Sequence, residues 1–294
     1  MPGRPRNELS RESLGQQRTC EDGRMTSDRV LIDVSNHVAT VTFNRPDKRN
    51  ALDGEQFSAI AEAGARVAAD RSIRAVVLVG EGASFCAGLD FSGFAAMMGE
   101  GDGGGNGNPG RLTESGLTHL GQQVCWVWQE VGVPVIAAMH GHALGGGLQI
   151  ALGCDIRIAH PDTQLSVREI HWGIIPDMTG TYALPRLVGD DVARELTFTG
   201  RIFDAREGAA LGLVTRLSDA PADDAHALAA QIAERNPDAL RSAKRLLSGA
   251  LNRGPAEQFA AERTEVASLI GTPNQTEAIK ANLENRAAVF ADPA

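Results

Sequence analysis

Residues 133–159 read VPVIAAMHGHALGGGLQIALGCDIRIA, and the pattern changes along this stretch decide the fold. It opens on a continuous apolar run that reads as a buried strand over 134–138. A glycine turn follows, His140-Gly141-His142-Ala143-Leu144-Gly145-Gly146-Gly147, and it opens a short helix over 146–152. A second strand is expected over 154–159. Strand, glycine turn and helix start together present unpaired backbone N–H groups and the positive end of a helix dipole. Such a turn can hold a phosphate or a developing oxyanion.

The same order recurs upstream. Short strand patterns at Val30–Val34 and Val38–Phe43 flank a turn at Asn36 and His37. A helix is expected from about Gly54 to Ala69, where Phe57, Ile60, Ala61, Gly64, Val67 and Ala68 follow a half-buried stripe. Ala75–Val79 reads as a buried strand, and Ser84-Phe85-Cys86-Ala87-Gly88-Leu89-Asp90 is a second glycine loop leading into a helix that Asp90 would cap. A further helix is expected over 114–131. Strands alternating with helices specify an α/β fold. From about residue 221 the strand pattern stops, and 223–235, 237–251, 255–270 and 274–290 read as helices, with Leu240, Ala243, Leu247 and Leu251 on one stripe. The expected organisation is a polar, disordered tail over 1–27, a core over 28–220 and a helical module over 221–294. Met25, where the patterned sequence begins, is a candidate start of the native protein. Residues 99–110 hold seven glycines in twelve positions, which fits a solvated insertion or a flap over a pocket.

Composition narrows the functional classes. The net charge of −9, without a cluster of Lys and Arg, argues against nucleic-acid binding. The longest apolar runs are too short to span a bilayer, and the N-terminus lacks a signal-like apolar stretch. The four cysteines show no C-x-x-C spacing, so a reducing, cytoplasmic setting is expected. There is no P-loop and no dinucleotide fingerprint. With 33 glycines in the chain, neither glycine loop is specific by itself. Glu169 lies in the apolar segment Leu165–Ile175 with Asp177 just beyond, so either carboxyl could have a raised pKa, or could simply form a salt bridge with Arg168 or another arginine. His140, His142 and His171 lack metal-site spacing, and no metal is expected. Trp126 and Trp128 read as core.

Taken in order, several pieces together resemble the enoyl-CoA hydratase/isomerase, or crotonase, superfamily. They are Asn44-Arg45-Pro46 with Asn50-Ala51-Leu52, Phe85 through Asp90, Gly141 through Gly147, Cys154-Asp155-Ile156-Arg157, and Glu169 through Pro176. The resemblance runs from about residue 28 to the C-terminus. It implies a spiral of ββα repeats with a C-terminal helical module that forms homotrimers or hexamers. It also implies an acyl-CoA thioester substrate, no cofactor beyond the coenzyme A of that substrate, and an oxyanion hole from the N–H groups of Leu89 and Gly146. Lys48, Arg49, Asn50, Ala51, Leu52 and Ala87 would lie along the CoA moiety, with Gly88, Asp90 and Gly145 completing the substrate-binding set.

The departures bear on the reaction. Family hydratases use two glutamates; the second matches Glu169, whereas Gln149 stands at the first, and an amide cannot accept a proton from water. Asp177 matches an aspartate that dienoyl-CoA isomerases use, and also the nucleophile of chlorobenzoyl-CoA dehalogenases, although the latter lack the glutamate. Asn282 and Asn285 replace an aromatic and a lysine that reach a neighbour's CoA, with Arg286 a possible substitute. The expected catalytic set is Glu169 as general base and acid, Asp177 as second proton carrier, and Gln149 beside them. Double-bond isomerisation fits this set better than hydration. The rivals are a non-catalytic acyl-CoA-binding trimer and another reaction of the superfamily that uses Asp177.

Overall fold

The computed structural model describes residues 28–90, 110 and 112–293. The expected tail, the helix after Asp90 and nearly all of the glycine-rich 99–110 segment lie outside these residues. The chain forms β1 (Val30–Ser35), β2 (Val38–Phe43), α1 (Gly54–Ala69), β3 (Ala75–Gly80), α2 (Leu120–Glu130), β4 (Val135–Met139), β5 (His142–Leu144), α3 (Gly146–Leu152), β6 (Ile156–Ala159) and β7 (Gln164–Ser166). After a 3-10 turn at Glu169–Trp172 come α4 (Gly180–Val188), α5 (Asp190–Thr199), β8 (Phe203–Asp204), α6 (Ala205–Leu211) and β9 (Arg216–Leu217). Four helices close the chain: α7 (Pro221–Ala233), α8 (Pro237–Ala250), α9 (Pro255–Leu269) and α10 (Pro273–Leu283).

Six strands form one sheet in the order β1-β2-β3-β4-β6-β9, parallel except for the β1–β2 hairpin. The α/β expectation therefore holds. The apolar runs of β3 and β4 are buried on both faces, as central parallel strands must be. Val76, Leu78, Val135, Ala137 and Met139 face the main core with α1, α2 and α3, whereas Ala75, Val77, Ile136 and Ala138 face a second cluster. That second face is closed by Ala225, Ala229 and Ala233 of α7, whose small side chains let the helix lie close on the sheet. A smaller sheet, β5-β7-β8, pairs β5 with β7 in parallel and β7 with β8 antiparallel.

Several boundaries differ from the sequence reading. The helix expected from 114 starts at Leu120, because residues 112–119 close a hairpin turn (Leu112 bridges His119) and His119 then caps the helix. The last helix ends at Leu283 rather than 290: Asn285 adopts a left-handed φ of 52°, and the chain returns along the core through Arg74–Asp292 and Asn274–Ala291 contacts. The glycine turn contains a strand, β5, that the sequence reading did not foresee. Among the described residues no helix is long and apolar enough to cross a membrane.

Candidate active site

The two glycine loops meet in the structure. Phe85 N–H donates to the His140 carbonyl at 2.9 Å, Cys86 N–H to that of His142 at 3.0 Å, and Leu144 N–H to that of Cys86 at 3.1 Å. Side chains add to this seam: His142 Nδ1 lies 2.9 Å from Ser84 Oγ, and His140 Nε2 lies 2.9 Å from the Gly82 carbonyl. These histidines thus serve the loops. Close approach demands glycine here. Gly88 has φ +88°, and a Cβ on it would lie 2.5 Å from the Leu144 carbonyl oxygen and 3.7 Å from Gly146 N.

Leu89 forms a parallel bridge with Leu52, in which the flanking Gly88 carbonyl accepts from Leu52 N–H (2.8 Å) and Asp90 N–H donates to the Leu52 carbonyl (2.9 Å). Strand alternation turns the N–H of Leu89 to the other side, where no backbone acceptor among the described residues takes it. Gly146 is the first residue of α3, so its N–H has no acceptor within the helix. Two unclaimed donors therefore border one small cavity of about 30 Å³, lined by both loops with Glu169, Trp172 and Ile174. That volume holds roughly one water or a carbonyl oxygen.

Glu169 follows β7, whose pairing with β5 carries the carboxyl to the glycine loop; a Cβ on Gly145 would sit 3.1 Å from Glu169 Oε1. Glu169 is 5% exposed. No cation pairs with it among the described residues, so the Arg168 salt bridge is absent. Gln149 Nε2 donates to Glu169 Oε1 at 2.5 Å, while Gln149 Oε1 accepts from Gly180 N–H at 2.8 Å. The amide is thereby locked in orientation, with its donor end on the carboxyl. Glu169 Oε2 is buried without a partner. Burial pushes the carboxyl up to about 7; the Gln149 hydrogen bond pulls the other way, and the nearby charge of Asp177 adds to the rise. Asp177 itself is exposed, with Oδ2 at 3.9 Å from His119 Nε2. The expectation of an apolar setting holds for Glu169 and not for Asp177, because Ile175 beside it also faces outward.

The segment 46–52 divides into two groups. Lys48 and Arg49 are exposed cations, whereas Ala51 and Leu52 are buried behind the loops. Asn50 departs from its expected role along the substrate. It is fully buried at a left-handed φ of 56°, its amide donates to the carbonyls of Glu81 (3.0 Å) and Ser84 (2.8 Å), and its oxygen accepts from Arg45 N–H (2.8 Å). Both amide hydrogens pin this segment to the start of the first glycine loop, and the amide oxygen braces the turn at Arg45. Asp90 is likewise held by Arg45, at 2.7 Å. Arg286 is no free cation either, since it grips Glu277 through both oxygens (2.5 and 2.9 Å) and Glu284 at 2.7 Å. Trp128 is core, but Trp126 stands edge-on to Tyr182 along a separate groove. Residues unforeseen in the sequence are His119, which has none of the usual N-cap chemistry, Gly180, and the cavity wall Trp172.

The chain is similar to known proteins over most of its length. The family model described as "Enoyl-CoA hydratase/isomerase" matches residues 33–293. The YngF protein of Bacillus subtilis (strain 168) is 35% identical over 268 residues, covering 90% of this chain and 98% of that one. The (E)-benzylidenesuccinyl-CoA hydratase of Thauera aromatica is 36% identical over 220 residues, covering 73% and 80% respectively. Among solved structures, the enoyl-CoA hydratase from Bacillus anthracis superposes with a TM-score of 0.80 at 28% identity, covering 89% of this chain and 98% of its own.

Proposed function

Because the chain belongs to the enoyl-CoA hydratase/isomerase family, we propose that it moves a double bond in an enoyl-CoA thioester. Leu89 and Gly146 hold the thioester oxygen, and Glu169 takes a proton from carbon and returns one. The observation that carries this reading is the Gln149–Glu169 hydrogen bond. Gln149 occupies the place of a second carboxylate, its oxygen is committed to Gly180, and it supplies only a donor. A single elevated carboxyl with one unpartnered oxygen suits proton shuttling between carbons better than activation of water. As the proton leaves, charge develops on the thioester oxygen, and each backbone donor placed there is worth ~3 kcal/mol in the transition state. Asp177, exposed beyond the turn that carries Glu169, is the second proton carrier in this reading. The exposed Lys48 and Arg49 suit the phosphates of CoA.

A second reading is hydration by Glu169 alone, favoured by the cavity of about 30 Å³ and by the relative named as a hydratase. A non-catalytic binder is disfavoured, since a buried carboxyl oxygen left unpaired weakens the fold with no return. A panel of 3-enoyl-, dienoyl- and aryl-CoA thioesters, read by absorbance and mass spectrometry, tests the reading. Hydration of crotonyl-CoA outpacing every isomerisation would remove the preference.

The 221–294 region is read as an oligomerisation module. Leu247, Leu251, Ile270 and Leu283 are 69–79% exposed on or beside α8–α10, and an apolar groove of about 820 Å³ opens between α2, α4 and α8. Exposed apolar area of this kind seeks a partner. A homotrimer, or a hexamer of two, is expected by light scattering.

A further inference from the structure

Among the described residues, Trp172 is the one aromatic side chain in the wall of the cavity between the glycine loops, and the chemistry above leaves it unused. Its place follows from the turn that carries Glu169. Residues Glu169–Trp172 form a 3-10 turn, entered where His171 N–H donates to the Arg168 carbonyl at 3.1 Å. Such a turn repeats every three residues, so side chains three apart eclipse. Trp172 therefore stands on the face that carries the Glu169 carboxyl, one turn or ~6 Å along the axis. Gly173, at φ +74°, ends the turn, and Ile174 N–H returns to the Glu169 carbonyl at 3.2 Å. Ile174 thus joins the same wall. The indole is 49% exposed, and the ring of His171 stands edge-on to it at 5.1 Å. Across the cavity the wall is main chain, where a Cβ on Gly145 would reach 3.1 Å from Glu169 Oε1. The site is a thin slot with glycine backbone on one side and the carboxyl and indole on the other.

The two ends of a bound thioester leave this slot differently. The exposed cations Lys48 and Arg49 adjoin the first loop, where Ala87 N–H donates to the Arg49 carbonyl at 2.9 Å. With the thioester oxygen on Leu89 and Gly146, the coenzyme leaves on that side. The acyl carbons lie at Glu169 and continue past Trp172. We propose that Trp172 is a specificity-determining residue that selects acyl-CoA thioesters carrying an aryl ring beyond the reacting double bond. The inference rests on the isomerase reading and names its substrate class. A flat ring enters a thin slot and stacks on the indole, which adds up to about tenfold in preference beyond the area it buries. A saturated ring of similar size is thicker and has no π face to offer. Covering the half-exposed indole favours either ring, but only the flat one gains the stacking.

The test compares a 3-enoyl-CoA ending in phenyl with its cyclohexyl counterpart, on the full chain. The wild type should isomerise the phenyl thioester with a kcat/KM ~10-fold above that of the cyclohexyl one. Trp172→Leu should reduce the preference to within about twofold, mainly by slowing the phenyl thioester, and leave binding of free CoA unchanged. Trp172→Phe keeps an aromatic face and should restore most of it. A wild type indifferent to the two rings, a W172L variant that slows both alike, or a W172F variant no better than W172L overturns the proposal. Weaker binding of free CoA to W172L does so too, because the indole then touches the coenzyme and not the acyl group. Calorimetric binding of the same pair separates the proposal from its premise. If neither thioester is isomerised, the isomerase reading fails. A phenyl preference in binding that W172L loses and W172F restores then still upholds Trp172 as the selector, and equal affinities remove it.

Discussion

The backbone half of the site, Leu89 and Gly146, and its side-chain half, Glu169 with Gln149 and Asp177, hold their chemistry by different means. The backbone half is a seam of inter-loop hydrogen bonds closed by glycines, and any acyl-CoA reaction that passes through an enolate could use it. The side-chain half depends on the Glu169 carboxyl and the Gln149 amide, brought together by β7, α3 and the start of α4, and a single change of group alters the proton chemistry. Under the proposed function, the main chain holds the intermediate and a few side chains choose the reaction.

The largest effect is expected in the side-chain half. Glu169→Gln keeps an acceptor for Gln149 and removes the base, so kcat should fall on the order of 10³-fold while acyl-CoA binding, followed by calorimetry, is retained. In the backbone half, Gly88→Ala forces a Cβ to 2.5 Å from the Leu144 carbonyl at φ +88°. Parting of the loops should lower kcat ~10²-fold and slacken both donors together. If that variant loses only KM, the loops bind CoA without stabilising an oxyanion, and the contrast between the halves collapses.

Stability gives the next measure. In the unfolded chain the Glu169 carboxyl loses its proton near the ordinary glutamate value of 4.5, whereas burial holds it in the fold up to about 7. Between those values the folded state binds more protons than the unfolded one, so stability falls as pH rises, and above 7 the full cost is present. That cost is about 3 kcal/mol by linkage. E169Q should therefore melt several degrees above the wild type at pH 8 and near it at pH 4.5. The smallest effect is expected for Gln149→Leu. Losing the hydrogen bond that pulls Glu169 down should move the acidic limb of kcat/KM upward and lower the rate at neutral pH ~10-fold. A Q149L variant with the wild-type profile would make Gln149 a mere spacer.

The two halves also differed in how far they could be read from sequence. The glycine loops were legible because backbone conformation or close approach of main chain restricts Gly88 and Gly147 to one residue type. The apolar setting of Glu169 was legible in Leu165–Ile175, but its Gln149 partner and its unpaired oxygen were not, since they come from β5–β7 pairing and from the approach of α3. Asn50 looked like a substrate contact because its position follows the motif, and only its three backbone partners reveal it as a pin. His119 carried no signal, because an imidazole at an N-cap is uncommon and its partner lies 58 residues on. The apolar stripe of α8 was visible, but not that Leu247 and Leu251 would face outward in the single chain.

Central to the proposed chemistry is a buried Glu169 carboxyl held by Gln149. Isotope-edited infrared titration of the free enzyme, with E169Q as the blank, measures it directly. A carboxyl band that converts to carboxylate near pH 7 and is missing from E169Q is the predicted result. A difference spectrum whose only carboxyl titrates below about 5, as an ordinary solvated glutamate does, would contradict the account.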